Sequence, residues 1–197
     1  MSYRWCRGSL NMEHHSLNDI YNDMATDKGT WHSYIGHYYN DRFAPFKDKK
    51  INFLEIGIHR GASLKLWRNF FTRAVIFGID IDPESIVIGN AINNTVPGVI
   101  AEQFDAYFRP DIFYPEVQFD IIIDDGPHDV ESQMFAAEFW TKRLVPGGIL
   151  VIEDIQDMSH INLILDKVPE GFNTAWFDYR HIKNRYDDIL IEITRKG

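Results

Sequence analysis

Residues Phe119–His128 read FDIIIDDGPH. A short apolar run ends in two adjacent carboxylates, Asp124 and Asp125, then a Gly126-Pro127 turn and His128. A continuous apolar stretch of this length, closed by turn residues, is the pattern of a strand covered on both faces. Like charges side by side at its end repel each other, which raises the question of what offsets them there. A second run, ILVIED (149–154), ends in the same way, with Glu153 and Asp154.

Outward from these two strands the chain alternates. INFLEIG (51–57) and AVIFGID (74–80) read as buried strands, and VIAEQFDA (99–106) carries a short third strand ending near Ala101. Between them ASLKLWRNFF (62–71) places Leu64, Trp67 and Phe71 on one helical face, and PESIVIGNAI (83–92) forms a second helix. Val130, Met134, Ala137, Trp140 and Leu144 keep helical register until Pro146-Gly147-Gly148, and HINLILDKV (160–168) is a further helix. FNTAWFDY (172–179) and DILIEITR (188–195) are two strands with no helical pattern between them, so they are expected to pair antiparallel.

Strands alternating with helices predict an α/β fold. It is a doubly wound, mostly parallel seven-stranded sheet with a C-terminal antiparallel hairpin. Upstream, Ser16 and Asp19 resemble a capping box, and Leu17, Ile20, Tyr21 and Met24 follow at helical spacing with Gly29 as the stop. TWHSYIGHYYNDRF (30–43) is expected to hold a second helix, followed by a loop at Pro45 and KDKK (47–50). The expected organisation is one domain over 1–197, with a loose arm at 1–15, a helical cap at 16–50 and the α/β core at 51–197.

The formal net charge of −9 and the lack of a basic patch argue against nucleic acid as a partner. Cys6 is the single cysteine, so no disulfide forms within the chain. The start, MSYRWCRGSLNMEHH, lacks the apolar core of a signal peptide, and no run is long enough for a membrane span. A cytoplasmic protein without membrane partners is expected, with room for a homo-oligomer.

Ligands of open α/β sheets bind beyond the carboxyl ends of the strands, where strand order reverses. After the first strand, Glu55-Ile56-Gly57 to Gly61 departs from the dinucleotide G-x-G-x-x-G pattern, with Ile58 at the second glycine. After the second, Asp82 suits a helix cap before Pro83, which leaves Asp80 for two ribose hydroxyls. After the third, Glu102, Gln103 and Asp105 are candidates for an adenine edge, and equally ordinary surface residues. Adjacent fourth and fifth strands would bring Asp124, Asp125, His128, Glu153 and Asp154 to one edge. Oxygen-rich clusters of this kind favour Mg²⁺, with Mn²⁺ as the alternative, although Asp125-Gly126-Pro127 would also serve as a plain turn.

LEIGIHRGAS, GIDIDP, EQFDA, IIIDDGPH and GGILVIEDI, in that order, resemble the class I S-adenosylmethionine (SAM) methyltransferases. More narrowly they are similar to the metal-dependent sugar O-methyltransferases of the macrocin and mycinamicin type and to the related cephalosporin hydroxylase-like group. TDKGTWHSYIGHYY (26–39) and DYRHIKNRYDDILI (178–191) resemble that group's segments before the first strand and at the final hairpin.

The resemblance implies a Rossmann-like methyltransferase that moves a methyl group from SAM to a hydroxyl of a sugar or nucleotide sugar, as a natural-product or glycan precursor. It implies Glu55, Gly57, Gly61 and Ser63 at the methionine end of SAM, Asp80 on the ribose, Gln103 by the adenine and Asp124 near the amine. It further implies Asp125, Glu153 and Asp154 as metal ligands and His128 as general base, work that an imidazole suits at neutral pH. His32, Tyr34, Tyr38 and Tyr39 are read either as a lid or as packing on the sheet. Arg180 and Arg185 are read either as an anion clamp or as surface charge. The alternatives to a methyltransferase are a metal-dependent hydroxylase of the related group and a SAM-binding protein without catalysis.

Overall fold

The computed structural model describes residues 16–21, 26–95 and 97–197. The arm expected at 1–15, Cys6 and Met24 lie outside the described residues. Seven strands form one sheet in the order β3-β2-β1-β4-β5-β7-β6. They are β1 (Asn52–Ile56), β2 (Val75–Asp80), β3 (Val99–Gln103), β4 (Phe119–Asp124), β5 (Leu144–Ile152), β6 (Phe172–Asp178) and β7 (Ile189–Arg195). β1 to β5 pair in parallel, while β7 runs antiparallel to both β5 and β6. The chain steps outward from β1 to β3, then returns to place β4 on the other side of β1. That reversal sets the expected binding crevice between β1 and β4.

Period-2 alternation splits the core into two layers. Phe53, Ile121, Ile123, Ile149, Val151 and Leu190 face α4 (Ala62–Phe70) and the N-terminal segment. Leu54, Ile122, Leu150, Ile152 and Ile191 face α6 (Val130–Phe139) and α7 (Met158–Leu165). By the same alternation Glu55, Glu153 and Glu192 project toward the N-terminal segment, and Asp124 toward the opposite layer.

Ser16 and Asp19 form the expected capping box at the start of α1 (Leu17–Tyr21): Ser16 N–H donates to Asp19 Oδ2 at 2.9 Å and Asp19 N–H to Ser16 Oγ at 3.3 Å. Several boundaries differ from expectation. Gly29 does not end a helix; it sits inside the single turn α2 (Asp27–Thr30). The helix expected at 30–43 opens as a π-helix, Ile35–Tyr39, before α3 (Asn40–Phe43). Its wider turn brings Tyr34, Tyr38 and Tyr39 toward the sheet together, which an α-helix would not do. β3 runs two residues past Ala101. α6 ends at Phe139, because a 3₁₀ turn (Trp140–Arg143) delivers Leu144 to the sheet, and an irregularity in β5 absorbs Pro146–Gly148. The hairpin is also not purely extended: α8 (Arg180–Lys183) makes one turn between β6 and β7. α5 (Pro83–Thr95) completes the helices of the parallel part.

Candidate active site

The ends of β4 and β5 meet at the reversal point. Asp125 N–H donates to Ile56 O at 2.9 Å, and Glu153 N–H to Asp124 O at 3.0 Å, so both acid pairs leave the sheet at one level. Gly57, at φ +82°, is required there: a Cβ at that position would lie 2.0 Å from Asp125 O. His128 and Asp154 also hold left-handed backbone, at φ 59° and 56°. Such conformations cost free energy in non-glycine residues and gather at functional sites. They turn His128 Nε2 to within 3.7 Å of Asp125 Oδ1 and 3.7 Å of Asp154 Oδ2. Asp125, His128 and Asp154 can each offer one ligand atom, all within 4.8 Å of one another. His32, Asp154 and Asp187 form a second such group.

The N-terminal segment supplies what the sequence reading missed. Lys28, only 1 % exposed, places Nζ 2.6 Å from Asp125 Oδ2, in contact with Glu153 Oε2 and 3.5 Å from Glu55 Oε1. Tyr39 donates its hydroxyl to Glu153 Oε1, and Tyr34 donates to Asp154 Oδ1 at 2.7 Å. Tyr38 donates to Glu192 Oε2 at 2.6 Å, so the three tyrosines are buried in packing on the sheet with their hydroxyls on carboxylates. His32 Nδ1 lies 3.3 Å from Asp154 Oδ1, buried and without a well-aligned hydrogen bond.

One ammonium does not balance this cluster. Burial raises Glu153 well above the ordinary carboxylate range, Asp125 and Asp154 add to the rise, and Lys28 opposes it. Asp154 is raised by burial and by Asp125. Burial would lower Lys28, but Asp125, Glu153 and Glu55 outweigh it and hold the ammonium well above its usual value. Glu55 is pushed up to about 7 by burial, against the pull of Lys28. An excess of buried carboxylate over cation suits a hard divalent ion, and Mg²⁺ in particular is bound through one or two carboxylates while keeping several waters.

Two cavities share this corner. The first, about 840 Å³, runs over the ends of β1 and β2 and is lined by Asp80, Ile81, Phe104, Asp105, Tyr107 and Phe135, among others. The second, about 650 Å³, is lined by His32, Asp154, Arg60, Trp31, Arg185 and Tyr186 together with neighbouring residues. Asp27, Gly57, His59, Asp125 and His128 line both.

The remaining expected residues divide. Asp80 lines the first cavity; its Oδ2 accepts from the N–H groups of Ile58 and His59 at 3.0 Å each, while Asp82 accepts from Glu84 N–H as a cap. Asp124 lines neither cavity: it is buried behind Tyr107 and Gly126 of the first cavity's wall, with Oδ1 accepting from Tyr107 and Oδ2 without a partner. Burial, with Asp125 adding, raises it to about 7 against the bond from Tyr107. Glu55 reaches neither cavity: it accepts from Ser63 Oγ at 2.8 Å and Trp67 Nε1 at 3.2 Å, holding the loop from beneath. Ser63 lines the second cavity, and Gly61 caps α4 in left-handed conformation. Gln103 turns away, its amide donating to Ile81 O at 3.1 Å, and Asp105 occupies the cavity wall instead. Arg185 pairs with Asp187 at 2.8 Å and lies over Trp31, whereas Arg180 pairs with Asp178 outside both cavities. Glu153 is drawn to Lys28 and Tyr39, leaving Asp125, His128 and Asp154 as the set that converges.

The sheet is doubly wound, with an acidic loop pair at its switch point and a cavity of about 840 Å³ beside it, where open α/β sheets take their ligands. A family model described as a methyltransferase domain matches residues 54–155, and the chain belongs to that family. It is 33 % identical over 139 residues to 8-demethyl-8-alpha-L-rhamnosyl tetracenomycin-C 2'-O-methyltransferase of Streptomyces olivaceus, covering 67 % of this chain and 35 % of that protein. It is 35 % identical over 150 residues to mycinamicin VI 2''-O-methyltransferase of Micromonospora griseorubida, covering 71 % of this chain and 36 % of that protein. The chain thus spans about a third of the length of these relatives. In fold it is similar to the MycE methyltransferase of the mycinamycin pathway in complex with Mg, SAH and mycinamycin VI, with TM-score 0.72 and 22 % identity over 92 % of this chain and 55 % of that one. Among the described residues no helix is long and apolar enough to cross a membrane.

Proposed function

We propose that the protein transfers the methyl group of SAM to a hydroxyl of a sugar or sugar-like small molecule, with a divalent cation, Mg²⁺ or Mn²⁺, as cofactor. The observation that carries this reading is the shared wall: Asp125 and His128 face both cavities, where a donor in one and an acceptor in the other would meet. The curated relatives, O-methyltransferases of glycosylated small molecules, support it. The reading places the reaction in the cytoplasm, in a single domain.

The first cavity suits SAM. Asp80 would hold the ribose, Asp105 replaces Gln103 beside the adenine, and the orphaned Asp124 Oδ2 suits the amine. Gly57 lets the backbone approach, while Glu55, Gly61 and Ser63 keep its loop in place. Asp125 and Asp154 would hold the cation, with Glu153 behind them. When bound, the cation would lower the pKa of the acceptor hydroxyl and fix its position. His128 takes the hydroxyl proton at Nε2, the atom turned into the corner. Because the sulfonium already activates the methyl, alignment across the shared wall supplies much of the rate. Trp31 and Tyr186, each 64 % exposed, give the second cavity flat rims for a sugar ring, and Arg185 stands beside them to contact an anionic acceptor such as a nucleotide sugar.

The test combines calorimetric titration of SAH with a methyl-transfer screen of nucleotide sugars and polyols, with Mg²⁺ and with chelator. SAH binding and chelator-sensitive transfer are expected. No heat with SAH, or equal turnover in chelator, would overturn the reading.

A further inference from the structure

The functional reading above gives Lys28 no role, yet it is the most deeply enclosed cation among the described residues. It reaches the cluster across 97 residues of sequence to Asp125 and 125 to Glu153. Its single-turn helix is itself fastened from the hairpin: Lys183 Nζ donates to Gly29 O and His32 O at 2.6 Å each. The contact with Asp125 uses Oδ2, while Oδ1 of the same carboxylate faces His128.

Building on the functional reading above, we propose that Lys28 is a resident counter-cation that competes with the divalent ion for Asp125, keeping the acid cluster assembled without metal and holding the metal's affinity down. An ammonium and a divalent ion on the two oxygens of one carboxylate repel at close range, where solvent screens little. The ammonium also pins Asp125 and Glu153, so it is a positioning residue. A purely structural lysine and a competing one give opposite results on removal. Loss of scaffold weakens metal binding and turnover together. Loss of a competitor tightens metal binding while turnover falls, because the carboxylates lose their fixed orientation.

The experiment titrates Mn²⁺ alone into the full chain, as wild type and as Lys28→Met, with kcat measured in parallel. The expected result is Mn²⁺ affinity about tenfold or more tighter in Lys28→Met, with kcat lowered. Buried carboxylates left unpaired can prevent folding, so Lys28→Met/Glu55→Gln, compared with Glu55→Gln alone, repeats the test at balanced charge and is expected to show the same tightening. Affinity unchanged or weaker in a folded variant overturns the proposal. Wild type that binds SAH but no Mn²⁺ overturns the metal reading as well, which separates the two failures.

Discussion

Glu192 and Glu153 lie on the same face of adjacent strands, two residues apart in register, since Val151 pairs with Glu192. The same N-terminal segment reaches down to both. Burial would raise Glu192, but Arg42 Nε at 2.8 Å and Tyr38 Oη at 2.6 Å hold it below the ordinary value. Glu153 has Tyr39 and Lys28, yet burial and two neighbouring carboxylates drive it far up. One carboxylate is balanced and belongs to the fold. The other belongs to a group the chain leaves short of positive charge, and perturbed carboxylates gathered in this way mark the corner proposed for the cation.

The largest expected effect breaks the unbalanced side. Asp154→Asn or Asp125→Asn removes a proposed ligand and should lower kcat by about a hundredfold or more, as metal stabilisation is worth several kcal/mol. His128→Ala should lower kcat by about a hundredfold to ten-thousandfold while SAH affinity holds. Unchanged Mn²⁺ affinity in that variant marks a base, and a loss marks a ligand. Asp80→Ala should weaken SAH about tenfold, since it removes a charged acceptor and frees the Ile58–His59 turn. The smallest effect lies on the balanced side. Glu192→Gln should leave kcat and Mn²⁺ affinity within about twofold and cost stability near neutral pH. Because its folded pKa is depressed, Glu192's contribution is present above about 4.3, the free glutamate value, and disappears as pH falls through the folded value. Denaturant melts of wild type and variant should therefore converge in acid.

The sheet was legible because apolar β-branched runs such as Ile121–Ile123 have few alternatives, and the acid pairs stood out because nothing in a strand end calls for them. Lys28 was not legible. In TDKGT it has the look of a solvated turn, and only tertiary folding puts it beside Asp125 and Glu153. The tyrosines were visible as aromatic residues, but their shared direction depends on a π-helical turn that periodicity does not announce. Gln103 and Asp105 differ by two residues, and the end of β3 decides which one meets the cavity.

The most direct measurement is the position of the ion. Crystals of the protein grown with SAH and Mn²⁺ should show an anomalous peak at Asp125 Oδ1 and Asp154, beside His128, with SAH in the cavity over Asp80. SAH in place with no peak at that corner, at saturating Mn²⁺, would contradict the account.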